Sequence, residues 1–343
     1  MSERVDLPPF GDLSIAVVGD AVADRYVHAR PSRLSREAPV PVFVETGVEV
    51  RPGGAANVAA NLAALGCRVA LFSPLGDDAT AEALRRVLAE RGVDVAAAGA
   101  APGYALPVKT RVLASEAHRT PQQVLRIDRE PEEAASADVL ERLASALATA
   151  RVDAVLYSDY GYGDLAAYAA ADAELRARGV VRVLDPRGVL PPFEALDAAT
   201  PNLEDFEKLA RCDERRRAAS DDALIERVAR EASRWRAAVG VREVLVTLGN
   251  RGMLLASELG ASHVAPSGNE GVVDVSGAGD TAAAVFGASL ALGVEPREAM
   301  SLANAAAGEV VMVSGTASIE RERLAAAMRR APHPRTVAPG GER

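Results

Sequence analysis

Near the C-terminus, Gly277-Ala278-Gly279-Asp280-Thr281-Ala282 opens an apolar, alanine-rich stretch and places a carboxylate in its first turn. Free backbone N–H groups at a helix start bind anions. A carboxylate beside them can take a proton from an alcohol. The combination fits phosphoryl transfer to a hydroxyl, with Asp280 as the base. It also fits a glycine turn with a favourable first-turn acid. At an ordinary carboxyl pKa of about 3.9, Asp280 would be ionised at neutral pH and weak as a base.

A second glycine site, Arg51-Pro52-Gly53-Gly54-Ala55-Ala56-Asn57, lets a ligand approach the backbone closely. Asn57 offers both a donor and an acceptor for sugar hydroxyls. The same residues also read as a glycine start to a buried helix. Asp20 ends a predicted strand, where open α/β sheets bind ligands, and Asp24 follows it. Thr200-Pro201-Asn202 leads into Glu204 and Asp205. Such a set holds Mg²⁺, usually through water, or starts a helix with early acids. Thr247-Leu248-Gly249-Asn250-Arg251-Gly252 follows a strand and suits a nucleotide phosphate or a hairpin turn.

The elements that must position these residues follow from periodicity. Residues 14–19, 68–73, 154–158, 181–184 and 244–247 are apolar strand-like runs separated by helical patterns, including 51–66 and 79–92. Strands alternating with helices imply an α/β fold, a mainly parallel sheet covered on both faces. Two stretches break the rhythm: 22–50, with VPVFVETGVEV, and 104–128, with KTRVLAS and QQVLRID. Both read as strands with one polar face and are expected to form a small sheet lying over the main one as a lid that excludes water. Residues 11–330 are expected to form a single domain. The tail 331–343 is rich in Pro, Gly and charge and reads as disordered. Residues 211–217 (RCDERRR) read as a solvated charge cluster.

Composition excludes several classes. The 343 residues are 49% hydrophobic and 25% charged, with a formal net charge of −9. That charge argues against a nucleic-acid partner. No apolar run of about 18 residues suggests a membrane span, and the N-terminus lacks a signal-peptide pattern. Cys67 and Cys212 show no disulfide or metal spacing, which fits the cytoplasm. The histidines (His28, His118, His263 and His333) are scattered. There is no P-loop GxxxxGK[ST] and no protein-kinase H-R-D or D-F-G set. Gly277 to Ala282 matches G-x-G-x-x-A formally, but a carboxylate inside that turn would repel a pyrophosphate.

Taken in order, these motifs resemble the ribokinase (PfkB) family of sugar kinases, from about Ser14 to Ile319. A narrower stretch, Ser35-Arg36-Glu37-Ala38-Pro39-Val40-Pro41-Val42 followed by RPGGAANVAANLAALG, is similar to the kinase half of the bifunctional heptose kinase/adenylyltransferases. So are Ser158-Asp159-Tyr160, Leu184-Asp185-Pro186, TPNLEDFEKL and Asn304-Ala305-Ala306-Ala307-Gly308. The resemblance implies a ribokinase-like three-layer αβα sandwich with a β-sheet lid, and transfer from ATP, with Mg²⁺, to O1 of D-glycero-β-D-manno-heptose 7-phosphate. The adenylyltransferase H-x-G-H motif is missing, so a stand-alone kinase is expected.

By the same resemblance, Asp280 is the base and Gly277, Ala278 and Gly279 present N–H groups to the transferring phosphate. Asn202 and Asp205 organise Mg²⁺ through water. Thr247, Gly249 and Gly252 line the nucleotide site, with Asn304 near the adenine. Asp20, Asp24, Gly53, Gly54 and Asn57 hold the sugar. Asp274 and Ser276 match positions that hold a monovalent cation such as K⁺ in some members. Cations in or beside the lid, among them Arg36, Arg51, Lys109, Arg111 and Arg126, suit the acceptor phosphate. A homodimer through the lid is expected. Asp205 stands where the family has Glu, and Tyr162 where heptose kinases have the lysine of D-Y-x-K-G. Arg187 or Lys109 would offset that lost cation; otherwise the change alters substrate choice or weakens catalysis. A kinase for fructose, ribose or a nucleoside, or a weakly catalytic sugar- or nucleotide-binding regulator, stands beside the heptose reading.

Overall fold

The computed structural model describes residues 6–337 apart from 97, 116–120, 214, 216–217 and 269–272. His118, the first five residues, part of the 211–217 charge cluster and the tail beyond Val337 lie outside the described residues. The strands are β1 (Ser14–Gly19), β2 (Ala21–Leu34), β3 (Pro41–Gly54), β4 (Arg68–Phe72), β5 (Val93–Asp94), β6 (Val108–Ala114), β7 (Gln122–Arg129), β8 (Ala154–Ser158), β9 (Val181–Asp185), β10 (Ala198–Ala199), β11 (Glu243–Thr247), β12 (Met253–Ser257), β13 (Gly260–Val264) and β14 (Arg335–Val337). The helices are α1 (Ala55–Ala64), α2 (Ala79–Glu90), α3 (Ala137–Thr149), α4 (Ala169–Ala177), α5 (Leu203–Ala210), α6 (Asp221–Val239), α7 (Ala278–Ala291), α8 (Pro296–Val310) and α9 (Arg321–Met328).

Among the described residues, ten strands form the main sheet in the order β14-β13-β12-β11-β10-β9-β8-β1-β4-β5. The run from β11 to β5 is parallel, and β12, β13 and β14 add antiparallel to one side. Successive strand residues point to opposite faces, so Ile15 and Val17 enter one core while Ala16 and Val18 enter the other. Helices α1, α2, α7, α8 and α9 cover the first face; α3 to α6 cover the second. The alanine-rich character of α1, α7 and α8 serves close approach: Ala55 to Ala60 in α1 and Ala282 to Ser289 in α7 are buried. Among the described residues no helix is long and apolar enough to cross a membrane.

The lid is a separate four-stranded sheet, β3-β2-β6-β7, antiparallel except for the parallel β2–β6 pair. Its two longest strands have 14 residues each. Both legs of this hairpin start at the end of the main sheet: β2 leaves one residue after β1, and β3 runs directly into α1. The Ala55 N–H donates to the Asp20 carbonyl at 2.9 Å and ties the two legs together at their base. Apolar side chains on the lid, Val44, Val48, Leu125 and Ile127, remain exposed.

One expectation is corrected at the C-terminus. Residues 335–337, read as part of a disordered tail, form β14 and pair with β13 from Ala261↔Val337 to His263↔Arg335. An unpaired edge of β13 offers a row of N–H and C=O groups, and even a short segment satisfies it.

Candidate active site

The C-terminal ends of β1, β8, β9, β10 and β11 converge on the start of α7. Gly277 precedes this helix with φ of 79°, a conformation glycine adopts without cost. A Cβ there would lie 2.5 Å from Asn57 Nδ2. The glycine therefore lets α1 and α7 come together so that Asn57 reaches Asp280. Asn57 Nδ2 donates to Asp280 Oδ2 at 2.8 Å, and the Tyr160 hydroxyl donates to Oδ1 at 2.7 Å. Asn61, one turn along α1, locks the arrangement. Its Nδ2 donates to Asn57 Oδ1, and its Oδ1 accepts from the Thr281 hydroxyl and the Ile319 N–H.

Asp280 is only 3% exposed. Burial pushes its carboxyl up to about 6, against the opposing hydrogen bonds from Asn57 and Tyr160. Burial thus turns the weak base expected of an ordinary aspartate into one poised nearer neutral pH. The first-turn N–H groups at Gly279 and Asp280 precede the point where helix carbonyls become available to them. Gly279 lines two adjoining cavities. One, of about 250 Å³, is bounded by Asp159, Asp185, Asp205, Arg187, Lys208 and Asp280. The other, of about 440 Å³, is more apolar, with Met253, Pro266, Val275, Ala307 and Val311 beside Thr247 and Asn304.

The acidic cavity concentrates carboxylates. Asp185 is held well above the usual carboxylate range, first by burial and then by the nearby Asp280. Asp159 is raised by burial as well. Such a wall favours a bound cation. Asn202 and Asp205 face it but are already engaged with each other: Asn202 Nδ2 donates to Asp205 Oδ2 at 2.6 Å, and the Asp205 N–H donates to Asn202 Oδ1 at 2.9 Å. Asn202 is thus the N-cap of α5. This pair fits Mg²⁺ through water, the way that ion usually binds. Among the described residues no group of three or more His, Cys, Asp or Glu is placed to hold a metal directly.

A description of carbohydrate kinases, the pfkB family, matches residues 12–323. The chain belongs to the pfkB family of carbohydrate kinases. It is 38% identical over 337 residues to the bifunctional protein HldE of Nitrosococcus oceani, covering 97% of this chain and 67% of that one. The corresponding protein of Methylococcus capsulatus is 40% identical over 326 residues, covering 94% and 65%. The chain thus spans about two thirds of the length of these relatives. The solved phosphofructokinase-2 from Escherichia coli in complex with potassium superposes with a TM-score of 0.72 at 18% identity, covering 93% of this chain and 99% of that one. Arabidopsis thaliana ribokinase complexed with ribose and ATP does so with a TM-score of 0.66 at 20% identity, covering 92% and 99%. The fold is therefore ribokinase-like, and the protein is a phosphotransferase with an alcohol group as acceptor.

Within this kinase the residues at the start of α7, with Arg187, Asn202, Asp205, Thr247, Gly249, Gly252 and Asn304, line the two cavities, while those on the lid and α1 lie beside them in other roles. Asp20 Oδ2 accepts from the N–H groups of Tyr160 and Tyr162, so it holds the loop after β8. Gly53 leaves room for Asp24, whose Oδ2 would lie 2.8 Å from a Cβ there. Asp24 in turn pairs with Arg111 at 2.5 Å, both side chains nearly buried. Gly249 and Gly252 border the apolar cavity. At Gly252, φ is 85° and a Cβ would strike the Val264 carbonyl. Asn304 Nδ2 donates to the Ala265 carbonyl at 2.9 Å and braces its wall.

Asp274 accepts from the Ser276 and Gly315 N–H groups, each at 2.9 Å. That turn is clamped to the lid by Arg51, which donates to the Ser314 carbonyl, and by the Tyr26 hydroxyl, which accepts from the Thr316 N–H. Arg36 sits exposed at the tip of the β2–β3 hairpin, and like Asp20, Asp24, Gly53, Gly54, Asn57, Lys109, Arg111, Asp274 and Ser276 it borders neither cavity. Two neighbours of Asp280, Tyr160 and Asn61, received no role from the sequence. Both stood inside matched segments, Ser158-Asp159-Tyr160 and RPGGAANVAANLAALG, and that was the available signal.

Proposed function

We propose that this kinase transfers the γ-phosphoryl group of ATP to O1 of D-glycero-β-D-manno-heptose 7-phosphate in the cytoplasm, giving the 1,7-bisphosphate. The observation that carries the reading is the place of Asp280. It lies buried in the first turn of α7 and lines the acidic cavity, next to Gly279, which borders both cavities. The apolar cavity suits adenine, with Asn304 and Thr247 as its polar groups. The acidic cavity suits the phosphates and Mg²⁺, which Asn202 and Asp205 would hold through water. Bound there, Mg²⁺ supplies charge neutralisation for the phosphates.

The sugar hydroxyl forms its bond to the γ-phosphorus as the bond to the bridging oxygen of ADP breaks, and its proton passes to Asp280. The transition state is loose, so positioning and charge stabilisation dominate. Amides at the start of α7 face the oxygens that carry this charge. For the acceptor phosphate, Lys109 and Arg187 are the cations beside Tyr160, whose hydroxyl donates to the base. Their side chains lie over the Tyr160 ring, 4.8 and 5.6 Å from its centroid. Arg111, Arg51 and Arg126 are instead engaged with Asp24, Glu49 and Asp128. The 37–40% identity to bifunctional HldE proteins supports a heptose substrate.

The test is a panel of heptose 7-phosphate, free heptose, fructose, ribose and nucleosides with ATP and Mg²⁺, the product located by ³¹P NMR. The highest kcat/KM is expected for heptose 7-phosphate. A clear preference for an unphosphorylated sugar rejects the assignment, and no ATP consumption with any sugar favours a regulator. The exposed apolar face of the lid supports a homodimer through that sheet; a monomer in sedimentation overturns it.

A further inference from the structure

Both oxygens of the Asp280 carboxylate are engaged before any substrate arrives, one by Asn57 and the other by the Tyr160 hydroxyl. The phenol is held in place from several sides. Asp20 grips its backbone N–H. Gly54, where a Cβ would lie 3.3 Å from ring atom Cδ2, lets the ring rest against the lid's base. Lys109 from β6 and Arg187 from the loop after β9 lie over the ring. An oxygen that accepts from a phenol is a poor destination for a second proton, and burial holds the phenol of Tyr160 well above its usual range.

We propose that Tyr160 is a positioning residue that caps the proton-accepting oxygen of Asp280 and yields it when an anionic acceptor draws Lys109 and Arg187 off its ring. This rests on Asp280 being the base. A phosphate carries full charge and geometry suited to both cations, whereas the ring offers only its quadrupole, so the acceptor wins the competition. Water brings no second anion: the phosphates of ATP can engage Arg187 from the acidic cavity, but Lys109, which does not line it, stays over the ring and leaves the cap in place. Hydrolysis would need the water oxygen to bond to the γ-phosphorus, the bridging bond to ADP to break, and a water proton to pass to Asp280. With the cap closed, that proton has no free oxygen to reach. The cap is thus a device against wasting ATP.

Charged and titratable groups face Asp280 from each neighbouring element: Asp24 from β2, Lys109 from β6, Tyr160 after β8 and Asp185 at the end of β9. Of these only Tyr160 donates a hydrogen bond to it, so removing that hydroxyl raises the Asp280 carboxyl.

The experiment uses the full chain with Tyr160→Phe, which keeps the ring and removes the donor. ADP release from ATP and Mg²⁺ without a sugar is expected to rise roughly tenfold or more, a part of the ~10²–10⁴ that a positioned base contributes. Its acid limb should move up by about one pH unit, and adding Asp280→Asn should erase the gain. Inorganic phosphite should stimulate sugar-free hydrolysis by the native chain and leave Tyr160→Phe unaffected. Unchanged hydrolysis in folded Tyr160→Phe, or no response of the native chain to phosphite, overturns the proposal. Should the phenylalanine variant not fold, 3-fluorotyrosine at 160, a stronger donor, is expected to lower the acid limb; an unmoved limb overturns the proposal. Because these readouts contain no sugar, a failed sugar panel would defeat the acceptor assignment and leave the cap standing or falling on its own.

Discussion

Replacing Gly277 by alanine tests how the proposed base, Asp280, is built. At φ of 79° an alanine is strained, at a cost of about 1–2 kcal/mol. Its Cβ would also lie 2.5 Å from Asn57 Nδ2 and 3.3 Å from Thr316 Cγ2. The amide must then move away from Asp280 Oδ2, and a hydrogen bond to a charged group contributes about 1.5–3 kcal/mol. The expected destabilisation at pH 8 is therefore about 2.5–5 kcal/mol. The lost donor also raises the Asp280 carboxyl by about 1–2 units at ~1.4 kcal/mol per unit, so activity at pH 7 falls although no catalytic atom is changed.

Urea unfolding and the pH dependence of kcat/KM read the two effects. The decisive comparison is a double-mutant cycle with Asn57→Ala. Once the amide is gone, alanine at 277 costs only its backbone strain, so the double variant should be more stable than the sum of the singles by about 1.5–3 kcal/mol. Additivity within about 0.5 kcal/mol, or an unmoved acid limb in Gly277→Ala, would refute the claim that this glycine exists to admit Asn57.

Four further outcomes are expected. Asp280→Asn should keep its circular dichroism spectrum and lose ~10²-fold or more in kcat, the scale of general-base loss; near-normal turnover would remove Asp280 from that role. The acid limb of kcat/KM should fall near pH 6 rather than near 4, because the buried carboxyl is raised to about 6 and is inactive once protonated. Since its folded value lies above the unfolded one, ionising it withdraws stability as pH rises from about 4 to 6, which urea titrations of native chain and Asp280→Asn can compare. Arg111→Leu strands the buried Asp24 carboxylate and should cost ~3–5 kcal/mol in urea unfolding, largely recovered by adding Asp24→Leu; an unrecovered loss would mean the arginine acts through other contacts.

The layered fold was legible because each parallel strand is a short apolar run and each helix carries its own period. The lid was legible because its strands alternate. The glycine motifs announced themselves by composition, since only glycine admits the close approaches at 54 and 277. Other features depend on distance along the chain. Tyr160 meets Asp280 across 120 residues, and Asn57 across 223. No local pattern encodes either contact, nor the burial that raises the Asp280 carboxyl. The pairing of residues 335–337 was hidden for a related reason: their composition reads as coil, and an available edge on β13 decides otherwise. Asn202 shows the reverse ambiguity, since one cap residue and one metal-organising residue look identical in sequence.

The lid's hairpin has a mechanical consequence. Its two 14-residue strands make an arm roughly 45 Å long at about 3.3 Å per residue, anchored where Ala55 meets Asp20 and again where Arg51 and Tyr26 reach Ser314 and Thr316. A turn of about 5° at that base sweeps the far end through roughly 4 Å over such a length. Arg36, exposed at the far end, stands where that displacement would be greatest, so an ångström-scale adjustment at the base would be read out at the tip as a movement several times larger.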